Sequence, residues 1–325
     1  MHKLLKKTSA FVAAAVVGGS LFASAVQAQT IKIALAETPS DELAAFFVAL
    51  DRAKANGLDY EWTAFSDEEL AIQAVLSGQM DIGFGTPYAA MQRSKAPIRI
   101  IFQLSKLKFF PVTTKAYSTL QDLNGEPILL HSRGGGTDSI ANVIEDRLGI
   151  EFGDRSYVPG SSNRVAALLG GQADATIIDL SNTNKLMRGP AADNFNVLEM
   201  FDVEASDEAL FANLDWIQDN EEDVNIFVNA LLSTYRDMHD DPTVIRRETN
   251  PDGPIGQLPA EILDELDGFY TDAVAAGLYS VNGGGRTAAN ADIEWYSAAG
   301  QLEGDAADLN IEDFWYLAPL DAAMQ

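Results

Sequence analysis

Cysteine is absent from the chain, and histidine occurs only at His2, His131 and His239. The first absence excludes disulfides, thiolate metal sites and a cysteine nucleophile. The second leaves no imidazole cluster for zinc, so neither a metal nor a cofactor is expected. Basic residues are scarce as well: 22 Lys+Arg stand against 48 Asp+Glu, a formal net charge of −26 over 325 residues. A surface that tracks nucleic-acid phosphates is excluded on that ground. No apolar run reaches the ~20 residues that a membrane span needs. What is present is a hydrophobic fraction of 47%, enough for true cores and too much for global disorder. The length fits roughly two domains.

Residues 1–28 read as a signal peptide. Lys3, Lys6 and Lys7 form a positive start, Ala10 to Val17 an apolar stretch, and Val26-Gln27-Ala28 a small-residue cleavage site. Cleavage after Ala28 removes three lysines and no acid, leaving 19 basic residues against 48 acidic ones and a net charge of −29. The expected product is periplasmic, soluble and strongly acidic.

The remaining chain alternates strands with helices. Ile31 to Leu35 predicts a strand, followed by a helix capped by Thr38, opened by Pro39 and ended near Asn56-Gly57. A short strand around Tyr60 leads to a helix with a Ser66/Glu69 capping box, then to a strand at Asp81 to Gly85 and a second Thr-Pro helix start at Thr86-Pro87. After an irregular stretch near Phe109-Phe110-Pro111 the pattern restarts, with strands at Pro127–His131, near Tyr157, and at Asp174–Asp179. This is an α/β plan with largely parallel sheets. Ala74 to Asp81 is echoed 93 residues later by Ala167 to Asp174: a helix end, a glycine stop, and an acid opening a buried strand. That spacing is too long for a solenoid repeat and suggests two lobes of similar plan. Beyond Asp219 the chain reads as helical and acidic, with a core stripe from Val224 to Leu232.

Three segments resemble the substrate-binding proteins of ABC importers, in the nitrate/sulfonate/taurine and thiamine-precursor (NMT1/THI5-like, SsuA-like) group. Leu76 to Gly83 follows the family's L-x-x-G-x-x-D run. Leu120 to Ile128 follows its entry into the second lobe, with Asn124 and Glu126 in place of basic residues. Ala166 to Ala175 follows its A-L-x-x-G-x-x-D-A run. The cysteine-rich motif of the thiamine-precursor branch is missing. The resemblance implies a bilobal type II periplasmic-binding fold with a helical C-terminal region. Lobe 1 would comprise 29–113 and 212–325, and lobe 2 residues 114–211, with hinges near Phe109–Tyr117 and Ala205–Trp216. It also implies a monomer that captures a small molecule between its lobes and docks transiently on an inner-membrane permease.

Ligands of open α/β sheets bind beyond the carboxyl ends of the strands. Four strand-to-helix junctions supply candidates: Glu37-Thr38, Thr86 with Tyr88, Arg133 with Gly135-Gly136-Thr137, and Ser161-Ser162-Asn163. Each offers unpaired N–H groups and partial positive charge beside a hydroxyl, equipment suited to carboxylate, sulfonate or phosphate oxygens. Glu37, Asp179, Tyr88 and Phe109 point instead to a cationic or amine-bearing group, and Gln103 to a hinge-side contact. Arg133 and Arg164 are alternatives for gripping an anion. The balance of these residues favours an anionic or zwitterionic ligand. An enzyme on the same fold is the less favoured class, since Gly-x-Ser-x-Gly and His-Glu-x-x-His are both missing and no catalytic residue is assigned. An exported sensory or partner-binding module is the other alternative.

Overall fold

The computed structural model describes residues 30–36, 38–65, 68–133 and 135–324. Residues 1–28 (expected to form a signal peptide), Glu37, the expected Ser66 cap and Gly134 lie outside the described residues. Ten strands are described: β1 (Ile31–Leu35), β2 (Tyr60–Ala64), β3 (Ile82–Gly85), β4 (Ile98–Lys106), β5 (Phe109–Thr114), β6 (Ile128–Leu130), β7 (Arg155–Tyr157), β8 (Ala175–Asp179), β9 (Phe195–Val197) and β10 (Ser206–Asn213).

They form two sheets of identical plan, ordered β2-β1-β3-β10-β4 and β7-β6-β8-β5-β9. In each, three strands run parallel and the fourth, β10 or β5, pairs antiparallel on both sides. The sheets are therefore mixed rather than largely parallel. The internal echo falls at equivalent places, on the helix end and turn leading into β3 and into β8. Each sheet with its helices is one lobe, and the chain is bilobal as the resemblance implied.

Sheet membership moves both crossovers a few residues earlier than expected. Phe109–Thr114 belongs to the second sheet and Ser206–Asn213 to the first, so the lobes are joined at Leu107–Lys108 and at residues 198–205. Pro111 made this stretch look irregular. It sits in β5 opposite Ile177, on the β9 side where that strand has already ended, and its carbonyl accepts from Leu198 N–H at 2.9 Å. The missing N–H thus falls at a strand end, where it is tolerated.

The first helix also departs from expectation, running over Ala44–Ala55 rather than from Pro39. No side chain of its own segment caps it. The Tyr270 hydroxyl accepts from Ala45 N–H at 2.8 Å and donates to the Asp41 carbonyl at 2.9 Å. A tertiary contact has taken over the capping role.

The C-terminal third is helical, as expected, and packs on the first sheet. Helix Glu221–Asp240 buries Val224, Phe227, Val228, Leu231 and Leu232, while Trp315 bridges to Ile100 at the edge strand. The turn at Gly283 seals this packing. Its φ is +68°, and a Cβ there would stand 2.6 Å from the Phe102 ring and 2.7 Å from Leu320. Gly283→Ala combines a left-handed backbone with overpacking, so unfolding in urea should show a loss of about 2–4 kcal/mol. An unchanged midpoint would refute this packing.

Candidate functional site

The carboxyl ends of both sheets face a cavity of about 280 Å³. Lobe 2 contributes the starts of two helices, Gly136–Leu148 and Ser161–Leu169, together with His131, Arg164 and Asp179. Lobe 1 contributes Glu42, Asp207 and Glu208 above a floor of Phe46, Tyr235, Phe269 and Tyr279. Lys108, on the first crossover, and Phe109 line it as well.

Arg164 is the centre of the lobe 2 wall. It is 1% exposed, and its guanidinium donates to the Ile177 carbonyl at 3.1 Å, the Val158 carbonyl at 3.0 Å and Ser161 Oγ at 2.9 Å. None of the ion pairs among the described residues includes it. Burial pushes its pKa down to about 10, opposed by the charge of Asp179, so it stays cationic at neutral pH. A buried cation held by neutral acceptors leaves a positive field at the adjoining helix start, where Gly160 supplies no side-chain cap. Desolvation, and after it the charge of Arg164, lowers the pKa of His131.

Asp179 is occupied by its own helix. It accepts from Asn182 N–H at 2.7 Å and from the Asn182 amide at 2.9 Å, capping Leu180–Arg188. Thr137 is buried and receives the His131 N–H on its hydroxyl at 2.8 Å.

Of the residues singled out in the sequence, the cavity brings together Phe109, Gly136, Thr137, Ser161, Arg164 and Asp179. Gly135 precedes the same helix, but a Cβ on it would meet Ser132 Oγ at 2.5 Å, whereas one on Gly136 finds only Asp207 at 3.8 Å. Gly136, unlike Gly135, has open space on the cavity side. Ser162 and Asn163 are exposed in the first turn of the same helix as Ser161, and Asn163 donates to the Pro159 carbonyl at 2.8 Å. Arg133 is exposed, its guanidinium 5.2 Å from the centre of the Tyr157 ring. Thr38 is exposed ahead of the first helix.

Three others lie in the body of lobe 1. Thr86 is held by Glu68, which accepts from both its N–H and, at 2.8 Å, its hydroxyl. That helix start is thus filled by an internal carboxylate. Tyr88 is fully buried, donates to Asp292 and accepts from Trp315 Nε1 at 3.1 Å. Asp292 also accepts from Ser206 N–H at 2.5 Å and Ser206 Oγ at 3.0 Å. Gln103 lies inside β4 and donates to the Glu204 carbonyl at 2.9 Å. Tyr88, Asp292 and Gln103 together pin the end of the second crossover to lobe 1.

The lobe 1 wall was not legible in the sequence. Glu42 precedes a helix whose start was placed earlier, Asp207 and Glu208 follow a displaced crossover, and Tyr235 sits on a helix read as core.

No curated protein matches the chain. Among solved structures it is similar to a protein from Bordetella bronchiseptica RB50, at 18% identity and a TM-score of 0.68, over 90% of this chain and 96% of that one. It is similar to the alkanesulfonate-binding protein SsuA from Xanthomonas axonopodis pv. citri bound to MOPS, at 14% identity and a TM-score of 0.60, over 86% and 96%. It is also similar to the periplasmic nitrate-binding protein NrtA from Synechocystis PCC 6803, at 12% identity and a TM-score of 0.64, over 92% and 89%. At these identities the likeness shows the fold, the bilobal architecture of periplasmic binding proteins. A family model described as NMT1/THI5 like matches residues 42–245, well over half of the chain, and the chain therefore belongs to the NMT1/THI5-like family.

Proposed function

We propose that this protein is a solute-binding protein of an ABC importer. Exported and cleaved after Ala28, it works as a monomer in the periplasm, taking up a small organic molecule between its lobes and presenting it to an inner-membrane permease. Its role is capture rather than catalysis. The described helices include none long and apolar enough to cross a membrane, and two similar structures carry binding-protein names, one for alkanesulfonates and one for nitrate.

The observation that carries the reading is Arg164, buried at the wall of an interlobe cavity without an ion-pair partner among the described residues. A ligand oxyanion placed at the start of helix Ser161–Leu169 would sit in the combined field of this cation and the helix N-terminus. The facing wall of Glu42, Asp207 and Glu208 over Tyr235 and Tyr279 suits a cationic or amine-bearing end. A zwitterion satisfies both walls. The cavity, near the lower bound for ligand pockets, limits it to a small molecule.

Mass spectrometry of material released from natively purified protein is expected to find a small organic acid that also carries a basic nitrogen. Added back at 100 times its dissociation constant, it should stabilise the fold by about 2.7 kcal/mol. A released neutral sugar, or no stabilisation by any released compound, would overturn the assignment.

A further inference from the structure

Among the described residues, two groups of contacts join the lobes outside the crossovers and the cavity, and the two differ in chemistry. Near the second crossover the contacts are amide hydrogen bonds and cation–π stacking. Asn142 donates to the Ala299 carbonyl at 3.1 Å, Gln301 donates to Ser139, and the Arg147 guanidinium lies 4.7 Å from the Phe201 ring and 5.7 Å from the Trp295 ring. Phe201 itself belongs to the crossover, so these contacts stay close to the pivot.

The second meeting place is made of charge. One lobe 2 helix, Leu180–Arg188, faces the lobe 1 helix Ala260–Ala275. Arg188 reaches both oxygens of Asp272, at 2.7 and 2.8 Å, and Asn184 donates to the same carboxylate at 3.1 Å. Lys185 lies 3.1 Å from Glu265 and 3.7 Å from Asp41. Positions 184, 185 and 188 share one helix face, so a single rigid face presents both cations to lobe 1. The helix that carries them begins at the cavity: Asp179 caps it, and Leu180 is part of the ligand wall. On the lobe 1 side Phe269 lines both the cavity and the groove that these pairs span.

We infer that Lys185 and Arg188 are positioning residues that latch the lobes closed, setting ligand affinity from outside the cavity. The lobes are covalently joined only at Leu107–Lys108 and residues 198–205, so rotation about those segments must separate the two helices. The cations are solvated, with Arg188 65% and Lys185 51% exposed, while Asp272 and Asp41 are 24% and 15% exposed. Each is therefore worth little by itself, and the shared helix face makes them act together. A weak, solvated latch suits a binder that must also reopen to release its cargo. The latch serves the solute-binding reading, and its test needs no ligand, so its failure would leave that reading in place.

The native chain has no cysteine, which allows clean labelling. With spin labels on Leu169→Cys in lobe 2 and Val281→Cys in lobe 1, at 54% and 41% exposed positions, pulsed dipolar spectroscopy reads the interlobe distance of the full protein. The unaltered latch should give a populated short distance. The exposed pair K185Q/R188Q should lower the closed-to-open ratio about fivefold or more, and R188D about tenfold. The swap R188D/D272R should restore it, an outcome that a merely structural role for either residue would not produce. Melting curves within 3 °C of the parent, a window ordinary for surface changes, certify the fold of each variant. Equal distance distributions in parent and K185Q/R188Q, or a swap no better than R188D alone, would overturn the latch.

Discussion

Replacing Arg164 by methionine is expected to destabilise the protein by about 3–5 kcal/mol and to weaken ligand binding at least a hundredfold. The guanidinium donates to two main-chain carbonyls, Ile177 and Val158, and to Ser161 Oγ, from a fully buried position. Methionine fills much of the volume but donates nothing, so buried acceptors lose their partners at about 1–3 kcal/mol each. Ser161 is less affected, because its hydroxyl also receives the Asp179 N–H at 3.3 Å. Removing the charge takes away the main attraction for an oxyanion at the lobe 2 wall, which amounts to at least a hundredfold in affinity at about 3 kcal/mol. Arg164→Lys separates the two effects. It keeps a cation without the planar fork, so it should recover part of the affinity while remaining less stable than the parent. Urea unfolding and titration calorimetry with the released ligand read the two quantities. Arg164→Met with parental stability and parental affinity would remove Arg164 from the site.

Asp292 should make stability fall as pH rises. Its carboxyl is completely buried, and burial pushes its pKa up to about 6 against the pull of the donors from Ser206 and Tyr88. An unfolded aspartate titrates near 3.9. Below that value the group is protonated in both states and imposes no penalty. Between about 4 and 6 the unfolded chain ionises while the folded one holds its proton, so stability declines. Above 6 the loss is complete, at about 3 kcal/mol for a shift of about 2 units. Asp292→Asn keeps the shape and the acceptor for Ser206 N–H, and its amide can donate to the Tyr88 and Ser206 hydroxyls. It should be more stable than the parent at pH 7.5, by up to about 3 kcal/mol, and should flatten the change between pH 4 and 6. If the variant melts lower than the parent at pH 7.5, the ionised carboxylate is worth more to the crossover anchor than its desolvation costs.

How much of this was legible in the sequence depended on the range of the interaction. The helix starts at Gly136 and Ser161 were found because glycines and hydroxyls beside a strand end are local signals. The start at Ala44 was missed because its cap, Tyr270, lies 225 residues away. The Thr86 junction looked open until Glu68, 18 residues earlier, filled it. Tyr88 was read as a cleft aromatic, yet its partner Asp292 sits 204 residues on and holds it in the core. Pro111 illustrates the same limit in a strand: only the pairing register reveals that its missing N–H falls beyond the end of β9. The motifs that carried the family resemblance are local turns and helix ends, which is why the fold was readable and the lobe 1 wall was not.

The position of β10 has a consequence for the order in which the chain can assemble. Lobe 2 draws its five strands from the uninterrupted stretch Phe109–Val197, whereas lobe 1 places β10 between β3 and β4. Its first helix is capped by Tyr270, and its edge strand is closed by Trp315. The amino-terminal portion of lobe 1 therefore lacks the strand that joins β3 to β4 until more than two hundred residues have been made. Lobe 2 can close its loops first, over short separations and at modest entropic cost. The last event is then expected to be a long-range closure that brings both ends of the polypeptide onto one sheet, so refolding should be slowed by this step.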